Sequence, residues 1–122
     1  MTKILVVDDE PSIVDTLREI LTWEGYEVSA AAEGKEALEL LATTTPDIVL
    51  IDYMLPWLDG VQVLTEMRRL PGCAHIPAIL MSAVAEPPAR SHLWVAFLKK
   101  PFNIQSLLQA LDKALAARTP SE

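Results

Sequence analysis

Apolar and polar positions along the chain switch repeatedly between a strand-like and a helix-like period. Lys3-Ile4-Leu5-Val6-Val7 is an almost continuous apolar run, the pattern of a strand buried on both faces. Pro11 suits the first turn of a helix whose apolar face is Ile13, Val14, Leu17, Ile20 and Leu21, and Gly25 ends it. Tyr26 to Ala30 reads as a short strand, and Gly34 to Ala42 as a helix carrying Ala37, Leu38 and Leu41 inward. Asp47 to Ile51 is a second strand of fully apolar type, entered after Pro46. Gly60 to Leu70 is helical, with Val63, Leu64 and Met67 inward; Pro77 to Met81 and Val95 to Leu98 are strands. Asn103 can cap a last helix with an inner stripe of Ile104, Leu107, Leu108, Leu111 and Leu115.

Strands alternating with helices imply right-handed crossovers and a parallel sheet covered on both faces. Five such units fit an α/β, flavodoxin-like (βα)5 three-layer sandwich with strand order 2-1-3-4-5. Its switch point lies at the carboxyl ends of the first and third strands. The first strand runs into Asp8-Asp9 and the third into Asp52, so the pattern brings three carboxylates to one crevice. Carboxylates crowded there repel, and desolvation raises the cost, so a cation or a neighbouring lysine is needed to offset them.

Composition narrows the classes. At 122 residues, half of them hydrophobic, the chain is one domain with a core of its own, expected over 1–118 with a polar tail at 119–122. A net charge of −7 argues against nucleic acid or an anionic membrane as a direct partner. The lone Cys73 has no internal disulfide partner and is simplest as a small residue in a reducing cytoplasm. Charges at Lys3 and Asp8 leave no signal peptide, and no apolar run has the length of a membrane span.

Two further strand ends add polar groups on the same edge: Ser82 after AILM, and Lys99-Lys100 after AFL. Three aspartates and one lysine leave an excess of negative charge that a hard divalent cation would neutralise. Few oxygen ligands suit Mg²⁺ better than Ca²⁺, and the scattered histidines and cysteine do not suit zinc. Beside a cation and an ammonium, Asp52 can act as a nucleophile toward a phosphoryl group, with Lys100 on the transferred oxygens. Each residue alone has a plainer reading: an Asp after a strand is a turn or cap residue, and Ser82 a turn hydroxyl. Together, at four strand ends on one edge, the plain readings lose their force.

ILVVDDEP, DIVLIDYMLPWLDG, Ser82-Ala83 and FLKKPF, in this order and spacing, make Ile4 to Ala117 resemble a receiver domain of a two-component response regulator. The resemblance implies that Asp52 is the phosphoacceptor, modified by a histidine kinase or histidine phosphotransfer protein. It implies that Asp9 binds Mg²⁺ (or Mn²⁺) directly, Asp8 mainly through water, and the Met54 backbone carbonyl as a further ligand. Ser82 and Lys100 would contact the phosphoryl group, Lys100-Pro101 would be cis, and Phe97 would be the switch aromatic that follows Ser82. Such a domain is a cytoplasmic signalling switch for a downstream effector rather than an enzyme with a separate substrate.

One stretch departs from the family pattern. Between Ser82 and Lys100 the chain is about one helical turn shorter than is usual, Pro87-Pro88 lies within it, and Leu93 stands where a glycine commonly precedes the last strand. Prolines remove amide donors and bias the preceding residue away from helix, so the helix between the fourth and fifth strands should be shortened or disrupted, with Pro88 to Trp94 its widest extent. The family commonly dimerises through that region; this chain should therefore be a monomer or a non-standard dimer. Trp57 reads as an exposed loop aromatic, and His75 and His92 as surface residues. A degenerate receiver serving only as a binding module is the alternative function. A haloacid-dehalogenase-type phosphohydrolase would need an acid two residues after Asp52, where Met54 stands. A flavin module would need a phosphate loop in place of Glu10-Pro11. The chain ends soon after its last helix, so it either works alone or signals through a further domain.

Overall fold

The computed structural model describes residues 1–88 and 93–117. Its elements run β1 (Lys3–Val7), α1 (Pro11–Trp23), β2 (Glu27–Ala31), α2 (Gly34–Thr43), β3 (Ile48–Asp52), α3 (Gly60–Met67), β4 (Ala78–Ser82), β5 (Ala96–Lys99) and α4 (Ile104–Ala117). All strand pairs are parallel, in the order β2-β1-β3-β4-β5. This is the three-layer sandwich that the periodicity implies.

The central strands are apolar throughout because helices cover both sheet faces. Leu5, Val7, Val49, Ile51, Ala78 and Leu80 point to the layer holding Ala37, Leu41, Val63, Leu64 and Met67 of α2 and α3. Ile4, Val6, Ile48, Leu50, Ile79 and Met81 point the other way, against Leu17 and Leu21 of α1 and Leu107 and Leu111 of α4. A one-residue slip of any central strand would exchange these two sets, so packing fixes the register.

Local signals set the helix ends. Gly25 takes φ 93°, and the pair Gly25 N–H to Thr22 O with Tyr26 N–H to Leu21 O closes α1 as a left-handed cap. Asp59 and Gln62 form a reciprocal capping box at α3, each side chain accepting from the other's amide at 2.8 Å. Asn103 accepts from the Ser106 amide at 2.8 Å and caps α4 as expected. Helix α3 ends three residues earlier than its periodicity suggests. The chain tightens into i→i−3 turns at Arg69 and Leu70, and Arg68 sends its guanidinium to the carbonyls of Ile76 (2.6 Å) and Leu93 (2.9 Å). Arg68 thus staples the loop before β4 to the approach to β5.

Between β4 and β5, residues 83–88 and 93–95 form no helix. Pro87 and Pro88 lack the amides a helix would need there, which agrees with a disrupted fourth crossover. Residues 89–92, with His92, lie outside the described residues, as does the 119–122 tail. Trp94 is buried and packs in the cluster with Ile76, Ala78 and Leu80, and its indole N–H donates to Glu86 at 2.7 Å. A single aromatic thereby covers sheet surface next to the disrupted crossover. Cys73 is buried, its thiol 3.7 Å from the Leu41 carbonyl, which agrees with its reading as a small core residue. His75 is exposed.

Candidate functional site

The carboxyl ends of β1, β3, β4 and β5 bring Asp8, Asp52, Ser82 and Lys100 to one edge. Asp8 extends β1 through its amide bond to Ala31 O, and its side chain is buried, as are those of Asp52 and Ser82. Lys100 is fixed by its amide, which donates to Ser82 O at 2.7 Å. Its peptide to Pro101 is cis, in line with the resemblance.

The lysine organises the crevice. Lys100 Nζ lies 2.7 Å from Asp8 Oδ2, 2.9 Å from Asp52 Oδ2 and 3.3 Å from Glu10 Oε1. An ammonium has three N–H donors, and each finds one carboxylate. The remaining oxygens of the two buried acids are also used: Asp8 Oδ1 accepts from Glu10 N at 2.9 Å and Asp52 Oδ1 from Met54 N at 3.0 Å. Burial pushes the Asp52 carboxyl above the ordinary aspartate range; bonds from Lys100 and the Met54 amide recover part of the shift, and the charge of Asp8 adds to it. Burial alone would drive Lys100 toward its neutral form. Its bonds to Asp8 and Asp52 reverse the sign, so its pKa lies above the ordinary lysine value.

Asp8, Glu10 and Asp52 present ligand oxygens all within 4.8 Å of one another. Three carboxylates around one ammonium remain anionic, and their hard oxygens fit a small divalent cation. Asp9 is exposed and stands outside this group, while Glu10, which the sequence pattern did not single out, belongs to it. Glu10 occupies the N-cap of α1 without capping it through its side chain. A carboxylate at a helix entrance beside two aspartates was the only signal available in the sequence. Met54 projects its side chain into solvent. The Ser82 hydroxyl accepts from the Val84 amide at 3.1 Å. Phe97 is half-buried against the α2–α3 side of the core, opposite Leu80 in the register. Lys99 is exposed, as expected.

The β3–α3 loop carries a strained aromatic. Trp57 has φ 65° and is 85% exposed, and the Leu58 amide donates to Pro56 O across it at 2.8 Å. This is a γ-turn with its central residue at positive φ, a strained form, and a left-handed non-glycine residue costs about 1–2 kcal/mol. Leu55 and Leu58 on either side are packed into the core and hold the loop in place. Trp57→Gly is therefore expected to be at least as stable as the wild type, although glycine adds about 0.4–1 kcal/mol of unfolded-state freedom. A clear fall in the thermal midpoint of that variant would show that the ring itself stabilises the loop.

Residues 4–112 match the family model of the response regulator receiver domain. The chain belongs to this family. It is similar to the response regulator MprA of Mycolicibacterium vanbaalenii, with 36% identity over 124 residues, covering 98% of this chain and 53% of the relative. The chain thus spans about half the length of the curated relatives it matches. Its fold is similar to chemotaxis protein CheY4 of Vibrio cholerae, at TM-score 0.87 and 29% identity over 94% of this chain and 99% of that one. It is also similar to the response regulator TrrA of Thermotoga maritima, whose structure is a complex with Mg²⁺ and beryllofluoride, at TM-score 0.84 and 33% identity over 94% and 100% of the two chains. Receiver domains are signalling switches rather than enzymes that turn over a separate substrate. Among the described residues no helix is long and apolar enough to cross a membrane.

Proposed function

We propose that this receiver domain is a phosphorylation-dependent switch in which Asp52 accepts a phosphoryl group from a histidine kinase or histidine phosphotransfer protein. The observation that carries this reading is a buried carboxylate, Asp52, held 2.9 Å from a partly buried ammonium in a crevice whose oxygens suit a divalent cation. Asp8, Asp9, Asp52 and the Met54 carbonyl would hold Mg²⁺, or Mn²⁺ in its place. When bound, the cation supplies positive charge to the oxygens of the transferred group.

An Asp52 oxygen attacks phosphorus as the bond from phosphorus to the donor imidazole nitrogen breaks, and the imidazole departs with that electron pair. Lys100 passes a hydrogen bond from the carboxylates to a phosphoryl oxygen, with no proton transferred. The Ser82 hydroxyl turns to donate to another oxygen and gives up the Val84 amide, and Phe97 moves into the space left. Phenylalanine has no hydroxyl to hold it outside, so packing sets this equilibrium. The altered surface then recruits a downstream effector, with the domain in the cytoplasm and monomeric or paired through a non-standard face. The meeting of Asp52, Lys100 and Ser82 at one edge supports this reading over a phosphorylation-independent binding module.

Incubation with acetyl phosphate is expected to add the mass of one phosphoryl group only when Mg²⁺ is present. Borohydride reduction of the aspartyl phosphate followed by peptide mapping should place it at Asp52. No mass gain in Mg²⁺, or a gain at any other residue, would overturn the reading.

A further inference from the structure

Glu10 is spent on an unusual contact. It sits where a helix takes a side-chain cap, yet its carboxylate makes no cap bond and reaches Lys100, 90 residues away, at 3.3 Å. Its side chain is 58% exposed, so the pair adds little to stability, and a functional account is the better one. We infer that Glu10 is a positioning residue for Lys100: it holds the ammonium on the α1 side of the crevice and so restrains its transfer to an incoming phosphoryl group. The inference rests on the proposed phosphoacceptor role of Asp52.

Lys100 has no donor to spare. All three N–H groups of Lys100 are engaged, so a phosphoryl oxygen gains a bond only where a carboxylate gives one up. Asp8 is the closest and fully buried, and it stays. Asp52 loses its own carboxylate charge on becoming the mixed anhydride. Glu10 is then the remaining competitor, and the only one of the three that solvent can stabilise after release. The domain thereby keeps an internal anion that resists modification until the dianion displaces it.

The test uses beryllofluoride, a phosphoryl mimic, at saturating Mg²⁺. Glu10→Gln removes the competing charge and should bind the mimic roughly two- to fivefold more tightly than the wild type. Its thermal midpoint should be unchanged. Glu10→Asp keeps the charge but shortens the reach, and should behave like Glu10→Gln. Wild-type or weaker affinity in Glu10→Gln would overturn the inference. So would wild-type affinity in Glu10→Asp, because that result assigns the effect to charge in the crevice rather than to contact with Lys100. The Lys100 ammonium signal in NMR spectra of the anion-free protein should shift in both variants, and an unmoved signal would refute the positioning role by itself. Failure of the wild type to bind beryllofluoride would instead tell against Asp52 as acceptor, and the Lys100 signal would still decide the role of Glu10.

Discussion

Alanine in place of Lys100 is expected to destabilise the metal-free domain by about 3–5 kcal/mol near neutral pH, the range for breaking a buried ion pair from one side. The lysine side chain is only 10% exposed and is shared by two buried aspartates. Its removal leaves those carboxylates without a counter-charge, and the pressure toward the neutral form falls on Asp52. Asp52 already lies above its ordinary value of 3.8 through burial, and loss of Lys100 moves it higher. A carboxyl raised in the folded state contributes stability that is full below its unfolded pKa and is lost as pH rises through its folded pKa. The deficit should therefore be small in acid and grow as pH climbs from the raised Asp52 value of the wild type toward the still higher value of the variant. Lys100 adds no slope of its own in this window, because its folded pKa lies above its unfolded 10.5 and its contribution persists throughout. Mg²⁺ should recover part of the loss by mass action, since the cation takes over the vacated charge. Urea unfolding at pH 4.5 and 7.5, with and without Mg²⁺, measures all three effects. A neutral-pH deficit below about 1 kcal/mol, typical of an exposed pair, or one of equal size at both pH values, would refute this account. Signalling should fail in the same variant even where Asp52 is still modified, because the phosphoryl oxygens lose their charged partner.

The strands were legible because burial on both faces leaves an unmistakable apolar run, and topology then places their ends together. That alone brings Asp8, Asp52, Ser82 and Lys100 to one edge from four distant segments. Strand ends were less legible. Asp52 and Ser82 are polar, and the pattern put them just outside β3 and β4, yet the ladder includes both, with Asp52 opposite Met81 and Ser82 opposite Lys99. Hydrogen bonding, not hydrophobicity, decides where a strand stops. The contact between Glu10 and Lys100 was not legible, since an exposed carboxylate 90 residues from its partner leaves no periodic trace. The burial of Trp94 and the carbonyls gathered by Arg68 likewise join segments that no short-range pattern connects. Trp57 shows a further limit, because a bulky aromatic carries no sequence signal for a left-handed backbone.

Gly60→Ala is expected to cost about 2–3 kcal/mol, against what helix propensity alone would suggest. In an exposed helix interior, alanine would gain about 1 kcal/mol over glycine. Here an added Cβ would stand 2.5 Å from the Asp52 carbonyl oxygen and 2.9 Å from the Tyr53 Cα. Both are backbone atoms of a buried segment, so neither can swing aside as a flexible side chain does. The Gly60 amide also donates to Tyr53 O at 2.8 Å, tying the start of α3 to the residue after Asp52. Helix α3 must therefore move outward, or the end of β3 must shift, and either one strains the capping box at Asp59 and disturbs the position of Asp52. The consequence is twofold: a lower unfolding midpoint, and weaker Mg²⁺ and beryllofluoride binding in the fraction that stays folded. Gly25→Ala provides the contrast, because among the described residues no atom lies within 4 Å of a Cβ there and only the backbone strain of φ 93° is felt. It should lose stability without losing ligand affinity at the crevice. If Gly60→Ala proved as stable as the wild type, or lost stability with beryllofluoride affinity intact, the close packing of α3 on the Asp52–Tyr53 peptide would not be what holds Asp52 in place.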